Sequence, residues 1–167
     1  MEHHDRAWDI IDKAAVCMMT TRFAGGLRAR PLQPRPDRAA GLIWFVTDAR
    51  SAKDGEIAAA PDVGLVFVDD AEKVYLSISG RAELRRDVAQ ARRIWRSTDD
   101  AWWPLGPNDP NACLLRVEPL LAEFWDGPAS KAVAAFEFVK ARLTNGKPNL
   151  GENRKVTVPM RQSRARR

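Results

Sequence analysis

The chain has 167 residues, of which 45% are hydrophobic and 29% are charged, a composition typical of one globular domain. No stretch reaches the roughly 18 uninterrupted apolar residues that a membrane span needs. The start MEHHDRAWDIIDK is too acidic and too charged for a signal peptide. We therefore expect a cytoplasmic protein without a membrane partner.

The net charge of +5 is concentrated at one end of the chain. Residues 154–167 hold six Lys or Arg and no acid, which leaves a charge of −1 for residues 1–153. This distribution predicts one domain over residues 1–153 and a basic, disordered tail over residues 154–167. It argues against a nucleic-acid function, and contact of the tail with nucleic acid or an anionic surface stays a secondary alternative.

The first third of the chain reads as a helix followed by strands. Apolar spacing in RAWDIIDKA predicts a short amphipathic helix over residues 5–14. Three β-type segments then predict an antiparallel meander, with breaks at AGG and DRAAG. These segments are AVCMMTTRF, LRARPLQPRP and GLIWFVTD.

The rest of the chain adds strands, helices and one aromatic loop. DVGLVFVDD and EKVYLSISGRAELRRD predict two strands, the second with alternation from Val74 through Leu84. Asp87, with Gln90 three residues on, resembles a capping box that opens a helix. We expect ACLLRVEPLLAEFWD to break at Glu118–Pro119 into two strands, because proline removes a ladder donor. A helix is predicted over residues 129–143, and a loop from Thr144 onward.

This order of elements predicts a mainly β protein (α+β) with peripheral helices. Its core is a small antiparallel barrel of six or seven strands. Strands and helices do not alternate regularly, so a doubly wound parallel sheet is not expected, and the sequence has no dinucleotide or P-loop motif. Cys17 and Cys113 lie outside any ligand pattern and are interpreted as structural, and no metal site is expected at His3–His4.

The segment TDARSAKDGE supports two interpretations. Ser51 is well placed to cap the helix AKDGEIAAA, and such a helix start would welcome an oxyanion. Lys53 in the first turn opposes the helix dipole, which makes sense if a phosphate supplies negative charge. Asp54 and Glu56 could neutralise Lys53 instead. Residue chemistry alone favours a plain capped helix start over an anion site.

Two other features extend the anion hypothesis. In LRARPL an extended strand projects Arg28 and Arg30 to one face, and arginine suits phosphate recognition. If this strand pairs with WFVT, both arginines could reach Ser51 and Lys53, whereas an isolated exposed strand would give the same alternation. Trp102–Trp103 falls in a loop where no core periodicity explains it, and a flat ligand or a partner subunit would account for it.

Several motifs together resemble the general stress protein branch of the pyridoxamine 5′-phosphate oxidase-like family. The similarity is continuous from about residue 8 to about residue 153. The matching motifs are Trp44-Phe45-Val46-Thr47, Ser51-Ala52-Lys53, Ser77-Ile78-Ser79-Gly80, Trp102-Trp103-Pro104-Leu105-Gly106 with Asp109-Pro110, and Phe124-Trp125-Asp126-Gly127.

The resemblance implies an FMN-binding split β-barrel that forms a homodimer, with two flavin sites at the subunit interface. FAD is a second flavin compatible with it. By position it implies phosphate ligands at Ser51 and Lys53, and contacts beside the flavin at several further residues. These are Arg28, Arg30, Pro31, Leu32, Phe45, Val46, Thr47, Tyr75, Ser77, Trp103 and Trp125.

The sequence departs from the family pattern in three places. Ala52 stands where many relatives carry an arginine, Trp103 replaces a more usual phenylalanine, and the C-terminal Arg-x-His motif of true oxidases is absent. We therefore do not expect pyridoxamine 5′-phosphate oxidase activity. The expected function is an FMN-binding general stress protein, as a flavin-dependent oxidoreductase of unknown substrate and unknown catalytic residues. The alternatives are a non-catalytic flavin carrier, sensor or scavenger, or a barrel that uses F420, FAD or haem.

Overall fold

The computed structural model describes residues 2–51, 53–126, 139–143 and 156–160, with the backbone alone at residues 2, 53, 54, 126 and 156. Short 3-10 turns at Ser97–Ala101 and Gly106–Asn108 lie in the loop before the longest strand. The elements are α1 (Glu2–Lys13), β1 (Cys17–Phe23), β2 (Gly26–Leu32), β3 (Arg35–Asp37), β4 (Leu42–Asp48), α2 (Lys53–Ala59), β5 (Asp62–Asp69), β6 (Val74–Arg85), α3 (Val88–Ile94), β7 (Ala112–Asp126) and β8 (Val156–Pro159).

All strand pairs are antiparallel and form one sheet in the order β2-β1-β5-β6-β7-β4-β3, with β8 beside β7. The sheet does not close, because β2 and β3 are its two ends. Long strands β6 and β7 pair along most of their length and carry both halves of the fold. This architecture confirms the predicted mainly β split-barrel class with peripheral helices.

The core lies against one face of the curled sheet. Strict alternation places every second side chain of β6 inside, from Val74 to Ala82, as the sequence pattern predicts. Helix α1 covers this face with Trp8 and Ile11, which are completely buried. Asp87 caps α3 as expected, because its carboxylate accepts the backbone N–H of Gln90 at 2.9 Å.

The strand count and partners differ from the prediction. The described residues form eight strands, because LRARPLQPRP contributes to β2 and β3 as separate strands and β8 is added. The predicted meander of the first three segments is confirmed in part: β2 pairs with β1 and β3 pairs with β4, but β2 and β3 lie at opposite ends of the sheet. Chain order alone does not determine these partners, because β4 also pairs with the more buried strand β7, which lies far along the chain.

The predicted break at Glu118–Pro119 is also wrong, since β7 runs unbroken through it. The register with β6 shifts there, with Ser79 opposite Leu121 and Gly80 opposite Pro119. Pro119 lies between the end of the pairing with β4, at Val117, and the start of the pairing with β8, at Leu121. Pro119, which has no backbone N–H, therefore lies where β7 changes partners. The bulge in the pairing of β6 with β7 accommodates it.

The limits of the domain and tail stay predictions. Within the segment predicted as a tail, Val156–Pro159 form β8, so the structure differs from the expectation there. Residues 139–143 of the helix predicted over 129–143 are helical, and the rest lies outside the described residues. Within the described ranges, no helix is both long enough and apolar enough to cross a membrane.

Candidate functional site

A cavity of about 330 Å³ opens between the end of β2, the outer side of β4 and the tryptophan loop. Four residues predicted to lie beside a flavin line it together, from three different segments of the chain. We call it the aromatic cleft and define it by Pro31, Leu32, Val46, Trp102 and Trp103. Its volume is at the lower end of the range for small-molecule sites.

The two tryptophans of the aromatic cleft are held differently. Trp103 makes an edge-to-face contact with Trp95, with ring centroids 6.0 Å apart. Trp95 is itself fixed, because its Nε1–H donates to Asp100 at 2.8 Å. Trp102 is 78% exposed. The cleft therefore combines one supported aromatic wall with one exposed aromatic ring.

A buried ion pair, not foreseen from the sequence, forms one wall of the cleft. Arg35 Nη2 donates to the Asp99 carboxylate at 3.0 Å, and both residues are only 6% exposed. Arg35 also donates to the carbonyl oxygens of Gln33 and Ile94. Burial lowers the pKa of Arg35, and the charge of Asp99 opposes that shift. The two charges largely offset each other, so this wall is close to neutral.

A second cluster lies at the other end of β2. We call Thr21, Arg28, Arg30 and Glu56 the arginine cluster. Arg28 Nη1 donates to Glu56 Oε1 at 2.9 Å, and Arg30 Nη2 donates to Glu56 Oε2. Thr21 donates to Glu56 Oε2 at 2.7 Å and accepts from Arg30 Nη1 at 2.7 Å. These bonds, first from Thr21 and then from Arg30, lower the pKa of Glu56.

The cluster changes how the arginines reach the Ser51 turn. The sequence hypothesis required β2 to pair with the WFVT segment of β4, and that pairing does not occur. Arg28 and Arg30 instead contact Glu56 on α2, the helix that follows the turn. The arginines therefore lie near the predicted anion site by a different route, through a side chain of the helix.

Among the described residues, Ser51 makes no side-chain hydrogen bond that would cap α2. The helix begins at Lys53, and the Ser51 hydroxyl oxygen is buried with no hydrogen-bond partner among the residues that the structure describes. Arg50, the residue before Ser51, pairs with Asp48 at 3.0 Å. A seven-residue helix offers little dipole, so attraction of an anion here depends on side chains.

The remaining predicted residues divide between the core and the outer surface. Phe45 and Thr47 are 0% and 3% exposed and face inward. Tyr75 lies opposite Trp125, and Ser77 lies two residues further along β6 on the same side. These three lie on the face of the sheet that points away from the core, opposite to Phe45 and Thr47. They do not line the aromatic cleft.

That other face carries a row of exposed apolar side chains. Met18 pairs with Val66, and Val68 pairs with Tyr75, so neighbouring strands present them side by side. Each is 39% to 59% exposed, and Leu121 on β7 is 37% exposed. We call Met18, Val66, Val68, Tyr75 and Leu121 the outer sheet face.

The cysteines behave as structural residues. Burial raises the pKa of the Cys17 thiol to about 12, which suppresses its reactivity. Cys113 is half-buried, and both residues are thiols. In the part of the chain that the structure describes, no group of three or more His, Cys, Asp or Glu could hold a metal ion.

Comparison with known proteins places the chain in a family. The family model described as "Pyridoxamine 5′-phosphate oxidase like" matches residues 2–149. No curated protein matches the sequence.

Solved structures give the same result. A candidate general stress protein 26 from Jannaschia sp. CCS1 is 31% identical, with 94% of this chain and 96% of that chain covered and a TM-score of 0.72. The general stress FMN/FAD binding protein of Xanthomonas citri is 27% identical, with 75% and 89% covered and a TM-score of 0.65. A protein from Clostridium acetobutylicum related to general stress protein 26 shares the fold at 15% identity, with 95% and 94% covered and a TM-score of 0.70.

Proposed function

Since the chain belongs to the pyridoxamine 5′-phosphate oxidase like family, we propose that it is a flavoprotein that binds FMN, of the general stress protein type. Similarity to a protein described as FMN/FAD binding supports a flavin in general. The choice of FMN depends on the geometry of this chain, with FAD as the second candidate.

The observation that carries the proposal is the separation of two unlike sites along one strand. Leu32 lines the aromatic cleft, and Arg28 belongs to the arginine cluster four residues earlier on β2. At about 3.3 Å per residue, this places them ~13 Å apart. Strand β4 connects Val46, which lines the cleft, to the turn that holds Ser51. FMN has a flat ring system at one end and a phosphate at the other, which matches this arrangement.

The residues present fit the two ends of FMN. The buried Ser51 hydroxyl has no hydrogen-bond partner among the described residues, and a phosphate oxygen would satisfy it. Arg28 has a half-exposed side chain and contacts Glu56 of α2 at 2.9 Å. At the other end, Trp103 and Val46 offer apolar surface for a flat ring. FMN, when bound, supplies redox chemistry, while the residues of the chain bind it, orient it and exclude water.

We further propose that the protein is a homodimer in which a second copy covers the outer sheet face. Contiguous apolar surface of this kind is rare on monomers and supports an interface. Tyr75, Ser77 and Trp125 would then belong to the subunit interface, as the family resemblance implies. None of the three lines the aromatic cleft of its own chain, which agrees with a contribution to the flavin site of the partner.

The same site would serve a flavin-dependent oxidoreductase or a non-catalytic flavin carrier, sensor or scavenger. Arg35 and Asp99 are the ionisable residues that line the aromatic cleft among the described residues, and they are paired with each other. The pairing leaves no ionisable residue of the cleft, among those described, free to act as a general acid or base. This favours the non-catalytic flavin carrier, sensor or scavenger. Reduction of the bound flavin by NADH or NADPH, followed by reoxidation by an acceptor, would identify an enzyme, whereas a flavin that binds without turnover would identify a carrier.

Purification and titration test the proposal. We expect flavin absorbance or saturable FMN binding at micromolar concentration, and mass spectrometry of the released ligand separates FMN from FAD, F420 and haem. Lys53→Ala should weaken FMN binding at least tenfold, because it removes a cation predicted beside the phosphate. Riboflavin is the matched control ligand, since it lacks the phosphate and should bind both proteins equally. Absence of any flavin response contradicts the proposal, and unchanged FMN affinity in Lys53→Ala removes this residue from the site.

A further inference from the structure

We propose that the aromatic cleft binds an uncharged, planar ring compound as the substrate, and that Trp102 stacks on this compound. The inference rests on the function proposed above for calling the compound a substrate, whereas its binding can be measured by itself. The proposed flavin contacts use Trp103 and Val46 and leave Trp102 without a role. The exposed ring of Trp102 and the paired charges beside it define the class of ligand.

Trp102 presents an exposed aromatic ring on a fixed main chain. The residue lines the cleft and is 78% exposed. Its backbone N–H donates to the carbonyl oxygen of Asp99 at 3.0 Å, and the backbone N–H of Trp103 donates to the same oxygen at 3.0 Å. Asp99 is in turn held by Arg35, so the loop positions the Trp102 ring without covering it. A flat ligand that stacks on this ring would remove apolar surface from water with little ordering of the protein.

Every nitrogen atom of the Arg35 guanidinium already has an acceptor within the protein. Nε donates to the carbonyl oxygen of Ile94 at 3.3 Å, Nη1 to that of Gln33 at 3.0 Å, and Nη2 to the Asp99 carboxylate at 3.0 Å. An anionic ligand would have to displace one of these acceptors in order to pair with Arg35. The guanidinium therefore contributes little to the recognition of a carboxylate or a phosphate.

The Asp99 carboxylate is satisfied in the same way. Oδ1 accepts from Arg35 Nη2 at 3.0 Å, and Oδ2 accepts from the backbone N–H of Arg96 at 2.9 Å. A cationic ligand would compete with Arg35 for this carboxylate. Among the described residues that line the cleft, the charged ones are Arg35 and Asp99, so a charged ligand would enter without an available counter-charge. Desolvation of an unpaired charge is costly, which favours an uncharged ligand.

Two uncharged polar side chains, Gln33 and Thr98, also line the cleft. Both residues are exposed, and the apolar residues Val16 and Leu32 share the lining with them. An amide and a hydroxyl can each donate to, or accept from, a carbonyl, amide or hydroxyl group of a ligand. A flat ring compound that carries one such group would therefore match the cleft in both shape and polarity.

Four ligands with one carbon skeleton test the inference. Naphthalene-2-carboxamide is planar and uncharged at neutral pH. Naphthalene-2-carboxylate and naphthalene-2-carboxamidine have the same shape with a negative and a positive charge, and decahydronaphthalene-2-carboxamide is uncharged but not planar. Calorimetric titration of the full chain, without FMN and with saturating FMN, measures each affinity. We expect naphthalene-2-carboxamide to bind in both states, the two charged ligands to bind at least tenfold more weakly, and the saturated ligand about fivefold more weakly.

Variants of Trp102 test the stacking contact. Trp102→Ala should lower the affinity for naphthalene-2-carboxamide at least tenfold, because it removes the ring, whereas Trp102→Phe should stay within about threefold of the wild type. Leu105→Ala is the matched control, since Leu105 is 68% exposed on the same loop and does not line the cleft. It should bind the ligand as the wild type does. All three variants should keep the unfolding temperature of the wild type, because the substituted side chains are exposed.

Thr98→Lys tests the charge argument by a gain of binding. The variant adds an unpaired cation to the lining of the cleft, which should raise the affinity for the carboxylate about fivefold relative to the affinity for the carboxamide. Ser97→Lys is the matched control, because Ser97 is exposed beside Thr98 and does not line the cleft. It should leave the ratio of the two affinities as it is in the wild type.

Four outcomes overturn the inference while flavin binding itself stands. In the first, a charged ligand binds as tightly as the carboxamide, so that a charge outside the described lining, such as Arg96, reaches the ligand. In the second, saturating FMN abolishes carboxamide binding, because the two compete for one ring site. In the third, Trp102→Ala keeps its affinity or changes the molecular mass of the protein, which would assign Trp102 to a contact with a second copy. In the fourth, Thr98→Lys leaves the affinity ratio unchanged.

Failure of the proposed function and failure of the inference are separate results. A protein that binds naphthalene-2-carboxamide but no flavin contradicts the proposed function and supports the ligand class inferred for the cleft. A protein that binds FMN but does not bind naphthalene-2-carboxamide contradicts the inference alone.

Discussion

Arg35 and Asp99 form a buried ion pair between residues 64 positions apart. A buried charge is tolerated when its partner and further hydrogen bonds satisfy it, and both conditions are met here. Asp99 also accepts the backbone N–H of Arg96 at 2.9 Å, which ties the loop after α3 to β3. The pair therefore supports the wall of the aromatic cleft and contributes no free charge to it.

Removal of Asp99 should be strongly destabilising. Asp99→Ala leaves the Arg35 guanidinium buried without its counter-charge, and we expect a loss of about 3 to 5 kcal/mol in the free energy of unfolding. Asp100→Ala is the matched control, because its neighbouring carboxylate is exposed and accepts only from Trp95 among the contacts described. We expect about 0.5 kcal/mol or less for the control. Urea unfolding of both variants measures the difference, and equal losses would show that the ion pair is not important.

The β6–β7 pair depends on a close backbone approach at the bulge. A Cβ atom at Gly80 would lie 2.8 Å from the carbonyl oxygen of Glu118, a distance that real Cβ atoms essentially never show. Gly80 is buried, and its neighbour across the sheet is Pro119. The glycine is therefore required by packing against backbone, which cannot move aside as a side chain can.

Gly80→Ala should destabilise the protein by about 1 to 3 kcal/mol, the usual cost of overpacking. Gly64 on β5 offers a matched control, because a Cβ there would meet its nearest atoms at 3.9 and 4.0 Å. Gly64→Ala should be neutral or stabilising, since glycine weakens a strand interior. Thermal unfolding distinguishes the two, and a neutral Gly80→Ala would contradict the bulge geometry.

Local patterns predicted the elements better than their partners. Alternation in β5 and β6 and the Asp87 cap were recognisable because neighbouring residues determine them. The pairing of β4 with β7, the bulge that rescues Pro119 and the Arg35–Asp99 pair depend on contacts between distant segments. No local signal predicts these contacts.

The sequence also predicted the candidate site only in part. Pro31, Leu32, Val46 and Trp103 line one cleft. Phe45 and Thr47 illustrate the limit, since a motif match gives position along a strand and alternation decides which side chains turn inward. Glu56 was considered only as a neutraliser of Lys53, because its contact with β2 requires the tertiary structure. Which residues hold a flavin stays a prediction.

At the scale of the whole molecule, the outer sheet face is the feature that a single chain leaves unexplained. The core covers one side of the sheet, and the other side presents Met18, Val66, Val68 and Tyr75 to solvent. Exposed strands usually place polar residues on such a face. Burial of this face against an identical copy would remove apolar surface from water and bring Tyr75 and Trp125 against a second subunit.

Val66→Lys tests this arrangement, because it places a charge near the centre of the outer sheet face. We expect a dimeric wild type and a monomeric variant, since an unpaired charge at an apolar interface costs several kcal/mol. Ala39→Lys adds the same charge in the exposed β3–β4 turn and should leave the dimer intact. Sedimentation equilibrium gives the mass, and FMN titration of the same samples reports whether the site needs the partner. If the partner completes the site, Val66→Lys loses FMN affinity together with the dimer; a variant that is monomeric and binds FMN normally would confine the site to one chain.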